Sequence, residues 1–210
     1  MDTVTFYTNP LSRGRIAHWM LEEVGAKFEA KLLDFEKKEH KDPKFLKINP
    51  MGKLPTIVHR NTVVTEGAAI CAYLADAFPA AKLAPATDDP ARGTYMRWLF
   101  FGAGCVEPAL LDKMLARPPA SRPESLGYGT YQETMDTLEK ALIPGPFILG
   151  DRFSAADVYI SAQISWGTRM KAIEPRPVFQ KYVARCEDRP AFQRFNQKSM
   201  EWAAQMKASK

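Results

Sequence analysis

The sequence predicts two structural classes in series, an α/β domain and then an all-α domain. Strand-like and helix-like segments alternate through about the first 80 residues, whereas beyond a proline-punctuated stretch after Phe78 almost everything has helical periodicity. Size and composition agree. The 210 residues, 46% hydrophobic and 25% charged, suit one large or two small domains with a buried core, and exclude disordered, collagen-like and disulfide-stapled chains. The 29 basic and 24 acidic side chains give a formal charge of +5, spread over both halves with no run of five like charges. The concentrated basic face that nucleic acid requires is missing.

The α/β part reads in chain order. Val4 to Tyr7, β-branched and aromatic, forms a strand. A turn at Thr8-Asn9-Pro10-Leu11 leads to a helix from about Ser12 to Val24, with Ile16, Trp19, Met20 and Glu23 spaced by three and four and Gly25 beyond its end. Phe28 to Leu33 is a second strand, Glu36 to Leu46 holds a short helix, and Leu54 to Val58 is a third strand. A tight turn at Arg60-Asn61 returns the chain as Thr62 to Val64. A helix from about Gly67 to Ala77 follows, with Ile70, Tyr73, Leu74 and Phe78 along one side. The order β-α-β-α-β-β-α matches a thioredoxin-like domain, with a βαβ unit followed by a hairpin and a helix.

Residues 1–78 are thus one domain. Residues 79–90, with Pro79, Pro85 and Pro90, are a linker, and 91–210 are an all-helical bundle with segments near 91–116, 125–142, 155–171, 176–187 and 190–205. Ser154 lies three residues before Asp157 at the start of the third of these, the spacing of a capping box, with Phe153 and Val158 placed as a hydrophobic staple. Cys71, Cys105 and Cys186 are widely separated and odd in number, which fits neither a disulfide framework nor a CxxC motif. His18, His40 and His59 lack metal-ligand spacing, so no metal is expected. With no leader-like start and no run of about 18 apolar residues, the expected location is the cytoplasm, with no membrane partner.

Chemistry concentrates where turns meet helix N-termini. In a thioredoxin-like domain the loop after the first strand, here Tyr7 to Arg15, opens onto orphan helix amides that favour an anion. Ser12 there either caps the helix or donates its hydroxyl to a thiolate; position alone allows both. The CxxC of a dithiol oxidoreductase is absent, so any sulfur chemistry needs a bound thiol. Leu54-Pro55 has two readings: the proline merely opens an edge strand, or a cis bond turns the Leu54 main chain outward to pair with an extended peptide. Glu66 precedes a helix and Gly67 lets a ligand approach its first amides, although an acid there also serves as a simple helix-start charge. Lys53 is a lone cation beside Leu54-Pro55, as a solvated surface lysine would be. Tyr95, Trp98, Phe101 and Cys105 fall mostly on one face of the first long helix of the second domain, a stripe that suits core as well as pocket; Trp166 adds to it from a later helix.

Taken together, the strand–turn–Ser12 segment, Asn49-Pro50-Met51-Gly52-Lys53-Leu54-Pro55-Thr56 and Thr65-Glu66-Gly67-Ala68-Ala69-Ile70-Cys71-Ala72-Tyr73-Leu74-Ala75 resemble the cytosolic glutathione S-transferase family. Phe153 to Val158 and Tyr182 to Phe192 extend the resemblance over nearly the whole chain, in the style of the bacterial beta, theta and zeta-like classes. The resemblance implies glutathione as co-substrate. Leu54 would make the main-chain pair beside cis-Pro55, Glu66 and Gly67 would hold the γ-glutamyl end, Lys53 would reach a carboxylate, and Ser12 would face the sulfur. It further implies attack of the thiolate on a small hydrophobic electrophile held between the two domains, for which the spacing offers Tyr95, Trp98, Phe101, Cys105 and Trp166, and a homodimer with helices 67–77 and 91–116 near the interface. A glutathione-dependent isomerase and a non-catalytic binding protein are the alternatives on the same fold.

Two positions depart from the family's pattern. Gly67 stands where the family usually has a serine, which leaves only its amide for the γ-glutamyl carboxylate. Where Ser12 sits the beta class has a cysteine, other bacterial members use asparagine or threonine, and the tyrosine classes use a first-strand tyrosine. Asn9 and Tyr7 are therefore rivals to Ser12, in that order.

Overall fold

The computed structural model describes residues 2–208. Four strands, β1 (Val4–Thr8), β2 (Phe28–Leu32), β3 (Thr56–His59) and β4 (Thr62–Val64), form one sheet in the order β2-β1-β3-β4, with β1 parallel to β2 and antiparallel to β3. The sequence fits this order locally. Arg60 and Asn61 both adopt positive φ, 51° and 61°, as a two-residue hairpin turn between β3 and β4 demands. Along β1 every second residue is buried, and Phe6 faces the helix α1 (Gly14–Glu23), its ring 6.0 Å from that of His18. Tyr7 points to the other face and meets Phe45 of the short helix α2 (Pro43–Leu46) at 5.3 Å. Helix α3 (Gly67–Ala77) buries Ile70, Cys71, Leu74 and Ala75. Its expected stripe is largely present, but Tyr73 is only half-buried and instead hydrogen-bonds His59 Nδ1 at 2.9 Å.

The thioredoxin-like arrangement stands, with shifts at several boundaries. The first helix begins at Gly14, since Ser12 is spent in the preceding turn. The short helix expected within 36–46 is α2; a 3-10 turn at Glu39–Lys41 precedes it, and Asp42 separates the two with a non-helical backbone and caps the Lys44 amide at 2.7 Å.

The helical segments are α4 (Ala91–Phe101), α5 (Glu107–Met114), α6 (Tyr131–Leu142), α7 (Ala155–Arg169), α8 (Pro177–Glu187) and α9 (Pro190–Ala208). The single helix expected over 91–116 contains a π-helical turn, Gly102–Val106, between α4 and α5. At its start Gly102 lies so close to Tyr159 that a Cβ would sit 2.8 Å from the ring. Helix α6 starts at Tyr131, six residues later than expected at 125. The boundary is a capping box the sequence reading missed, in which Thr130 and Glu133 bond each other's main chain.

Described residues up to Lys82 and from Arg189 onward form one compact unit, and Leu83–Asp188 form the other. The chain-order division put all of 91–210 in one helical domain, whereas α9 packs on α1 of the first unit. Phe192 and Phe195 meet Trp19, and Arg189 makes a bidentate pair with Glu23 at 2.8 Å on both arms. In the second unit Tyr95, Trp98 and Leu99 of α4 pack into a core with Leu110, Leu138, Val158, Ile164 and Phe179. Asp157 joins the Ser154 box as expected and also accepts bonds from the Ile148 amide and the Tyr182 hydroxyl.

Candidate active site

Strand register brings three loops together. β1 ends at Thr8, β3 enters at Thr56 opposite Tyr7, and the last residue of β4, Val64, lies opposite Ile57. The turn after β1, the segment before β3 and the residues after β4 therefore leave the sheet at the same end. All three belong to the first unit.

The first loop is tightly cross-braced. Asn9 is 4% exposed; its Nδ2 donates to the Leu33 carbonyl at 2.8 Å and its Oδ1 accepts from the Leu11 amide at 2.9 Å. The Ser12 hydroxyl donates to the Asn9 carbonyl at 2.7 Å and accepts from the Gly14 amide at 2.9 Å. Gly14 is required by space: a Cβ would lie 2.0 Å from Thr8 Oγ1 and 2.9 Å from Ser12 Oγ. Of the two readings of Ser12, the helix-entry cap is the one these bonds make. Its lone pair caps the helix entry, and rotation of the hydroxyl away from the Asn9 carbonyl would aim its proton outward. Asn9 has both ends of its carboxamide committed to the turn, and Tyr7 packs on Phe45 beneath α2.

The second loop presents bare main chain. The Leu54–Pro55 bond is cis, and neither the N–H nor the C=O of Leu54 is hydrogen-bonded within the described residues. An unpaired, half-exposed donor and acceptor beside a strand end can receive an extended peptide as a further strand. Asn49, 3% exposed, holds this segment in place: Nδ2 reaches the Lys53 carbonyl and Thr56 Oγ1, both at 3.0 Å, and Oδ1 accepts from the Met51 amide at 3.1 Å. Sequence reading included Asn49 in its motif without a role; the hydrogen bonds make it the brace of the loop. Lys53 is exposed.

At the third loop Glu66 caps α3 with φ 63° and ψ 120°, a region that non-glycine residues seldom occupy and that costs on the order of 1–3 kcal/mol. Glu66 is exposed and Gly67 half-buried at this helix entry.

The stripe expected to hold a second substrate divides into two buried and three half-buried members. Tyr95 is 0% and Trp98 5% exposed, so both are packed into the second unit's core. Phe101 and Trp166 are half-buried, and the half-buried Cys105 thiol donates to the Gly127 carbonyl at 3.4 Å. Burial raises the Cys105 thiol above its ordinary value and Cys71 and Cys186 further still, so none is an activated nucleophile. The first unit instead contains a cavity of about 480 Å³ with mainly apolar walls, among them Pro10 and Leu11 of the first loop, Phe35 after β2, and Ala203, Ala204 and Met206 of α9. No local pattern in the sequence ties residues 203–206 to residues 10–11; only the return of α9 to the first unit does so. Among the described residues no acid, His and Cys cluster could hold a metal, and no helix is long and apolar enough to cross a membrane.

A thioredoxin-like unit with a helix-entry hydroxyl, an open main chain before cis-proline and an acid–glycine pair at a second helix entry defines a thiol-peptide-binding class of protein. Residues 2–76 match the family "Glutathione S-transferase, N-terminal domain", and residues 115–195 match "Glutathione S-transferase, C-terminal domain". The chain is 30% identical over 178 residues to glutathione S-transferase A of Pleuronectes platessa, with 78% of this chain and 77% of that one covered. It is similar to the crystal structure of a glutathione transferase from Methylococcus capsulatus, with 27% identity, a TM-score of 0.77 and coverage of 93% and 98%. A glutathione transferase homolog from Sulfitobacter, solved with bound glutathione, is 25% identical with a TM-score of 0.77, covering 95% of this chain and all of its own. The chain belongs to the glutathione S-transferase family.

Proposed function

We propose that this protein binds glutathione across the three loops, activates its thiol as a thiolate, and transfers it to a small hydrophobic electrophile. The observation that carries the reading is the convergence of Ser12, the unpaired Leu54 main chain and Glu66–Gly67 at one end of the sheet. Leu54 pairs with the cysteinyl unit, Pro55 fixes the bend, Lys53 meets a peptide carboxylate, and Glu66 with the Gly67 amide holds the γ-glutamyl ammonium and carboxylate. Family membership and the glutathione held by the Sulfitobacter homolog support the same assignment.

Ser12 is the residue assigned to the sulfur. A free thiol has a pKa of about 8.5, and lowering it by about two units takes roughly 2.7 kcal/mol of selective thiolate stabilisation. One charge-assisted hydrogen bond from Ser12 together with the α1 N-terminus supplies energy of that order. The electrophile belongs in the first-unit cavity beside Leu11 and Phe35 rather than against Tyr95 and Trp98, which have no exposed face to offer it.

The test is ultraviolet absorbance of bound glutathione against pH for wild type and Ser12→Ala. A thiolate pKa about two units below that of the free thiol, rising toward the free value in the variant as kcat/KM falls by about 100-fold, is expected. An equally low pKa in both proteins would remove Ser12 from the role and leave Asn9, Tyr7 or main-chain amides.

The same reading makes the protein a cytoplasmic homodimer. Phe100 of α4, 73% exposed, is an apolar side chain of the kind a second subunit covers. Light scattering should give about twice 23.6 kDa, and a 23.6 kDa species alone would overturn the dimer.

A further inference from the structure

Helix α9 is fastened to α1 at one unusual point. His18, in the middle of α1, is 1% exposed, and its ring stacks on Trp202 with centroids 4.4 Å apart and planes 18° from parallel. Its Nδ1 lies 3.0 Å from Ser199 Oγ, and its other ring nitrogen is buried with no partner. Phe195 of α9, Phe28 of β2 and Phe6 of β1 close the rest of the ring, between 5.4 and 6.0 Å away. A polar ring in such an apolar cage costs stability, and a phenyl ring would fill it without that cost. What the imidazole adds is a directional bond between α1 and α9, beside those of Arg15 to Asn196, Arg189 to Glu23 and Arg194 to Glu22. The residues immediately after Trp202, namely Ala203, Ala204 and Met206, are cavity wall.

We propose that His18, through Ser199 and Trp202, is a positioning residue for the hydrophobic co-substrate: it fixes the α9 wall of the cavity while taking no part in holding glutathione. The inference rests on the transferase reading for the identity of the co-substrate. Helix geometry makes the coupling strong, because residues 199, 202, 203 and 206 are joined by one continuous hydrogen-bonded ladder, so a change of seat at Ser199 and Trp202 moves Ala203 and Met206 with it. The hydrogen bond of His18 runs to α9, and Phe6 and Phe28 of the sheet meet the ring only by packing. Leu54 lies before β3, Glu66 and Gly67 lie at the α3 entry, and among the described residues no hydrogen bond or ring contact joins them to His18.

The experiment measures KM separately for glutathione and for chlorodinitrobenzene in His18→Ala and Ser199→Ala, with anilinonaphthalene sulfonate fluorescence as a direct probe of the cavity. Ser199→Ala removes the one hydrogen bond and leaves the aromatic cage, so it decides the matter should His18→Ala fail to fold. A rise in electrophile KM of about threefold in Ser199→Ala and about tenfold in His18→Ala, with glutathione KM held within about twofold and weaker dye binding, is the expected result. An electrophile KM unmoved in the folded variants, or two KM values that rise together, would overturn the seat. Wild-type protein that conjugates nothing while dye binding still weakens in the variants would instead sink the transferase reading and leave the seat standing.

Discussion

Asp157→Ala is expected to destabilise the protein by about 3–5 kcal/mol, because it strips the acceptor from several buried donors at once. Asp157 is 0% exposed and receives the Ile148 amide at 2.7 Å, the Ser154 amide and hydroxyl at 2.8 Å and the Tyr182 hydroxyl at 2.9 Å. Burial raises its carboxyl above the ordinary aspartate range and pushes the Tyr182 phenol well above its own, so the phenol stays a donor throughout the accessible pH range. An alanine leaves the Ile148 and Ser154 amides and the phenol facing a cavity, each costing on the order of 1–3 kcal/mol. Asp157→Asn keeps the shape and one acceptor oxygen and should cost about half as much. Denaturant midpoints for the two variants are the measurement, and an alanine cost below about 1 kcal/mol would show that the donors find other partners.

The second large effect is on pH dependence. Burial pushes the His18 pKa down to about 3 from 6.5, helped by the nearby charges of Arg15 and Lys198. Below its ordinary pKa the unfolded chain takes up a proton that the folded chain refuses. The contribution is therefore complete above about pH 6.5 and is lost as pH falls toward about 3, at about 1.4 kcal/mol per unit. By about pH 4.5 the loss attributable to His18 is about 2.7 kcal/mol. Carboxylates titrate over the same range, so the quantity to measure is the difference in unfolding free energy between wild type and His18→Leu from about pH 7 to about pH 4.5. The wild-type curve should fall more steeply; parallel curves would mean that His18 charges without disturbing its cage.

Much of the α/β unit was legible because its signals are local. The β-branched Val4–Tyr7, the Arg60-Asn61 turn and the apolar spacing from Gly67 to Ala77 gave elements at or within a residue or two of their observed bounds, since each is set by neighbours a few residues away. A boundary failed where a side chain's hydrogen bond overrode periodicity: Thr130 with Glu133 delayed the start of α6. The three loops of the candidate site were legible for the same local reason, each being a turn next to a helix or strand entry.

Whether the aromatic stripe of α4 lies open or buried was not. Periodicity reports that Tyr95, Trp98, Phe101 and Cys105 share a face, but it cannot say whether that face meets core or cavity, and Tyr95 and Trp98 meet core. The cavity takes its walls from residues 9–11, 34–36, 203, 204, 206 and 207, about 200 positions apart at the extremes, and nothing in either stretch refers to the other. By itself the sequence determined the class of fold and the family, both of which depend on short-range patterns. Only the tertiary structure decided that α9 leaves the helical part of the chain and packs on α1. That outcome depends on which apolar surfaces match, His18 with Trp202 and Trp19 with Phe195, and complementarity between distant side chains has no period to read.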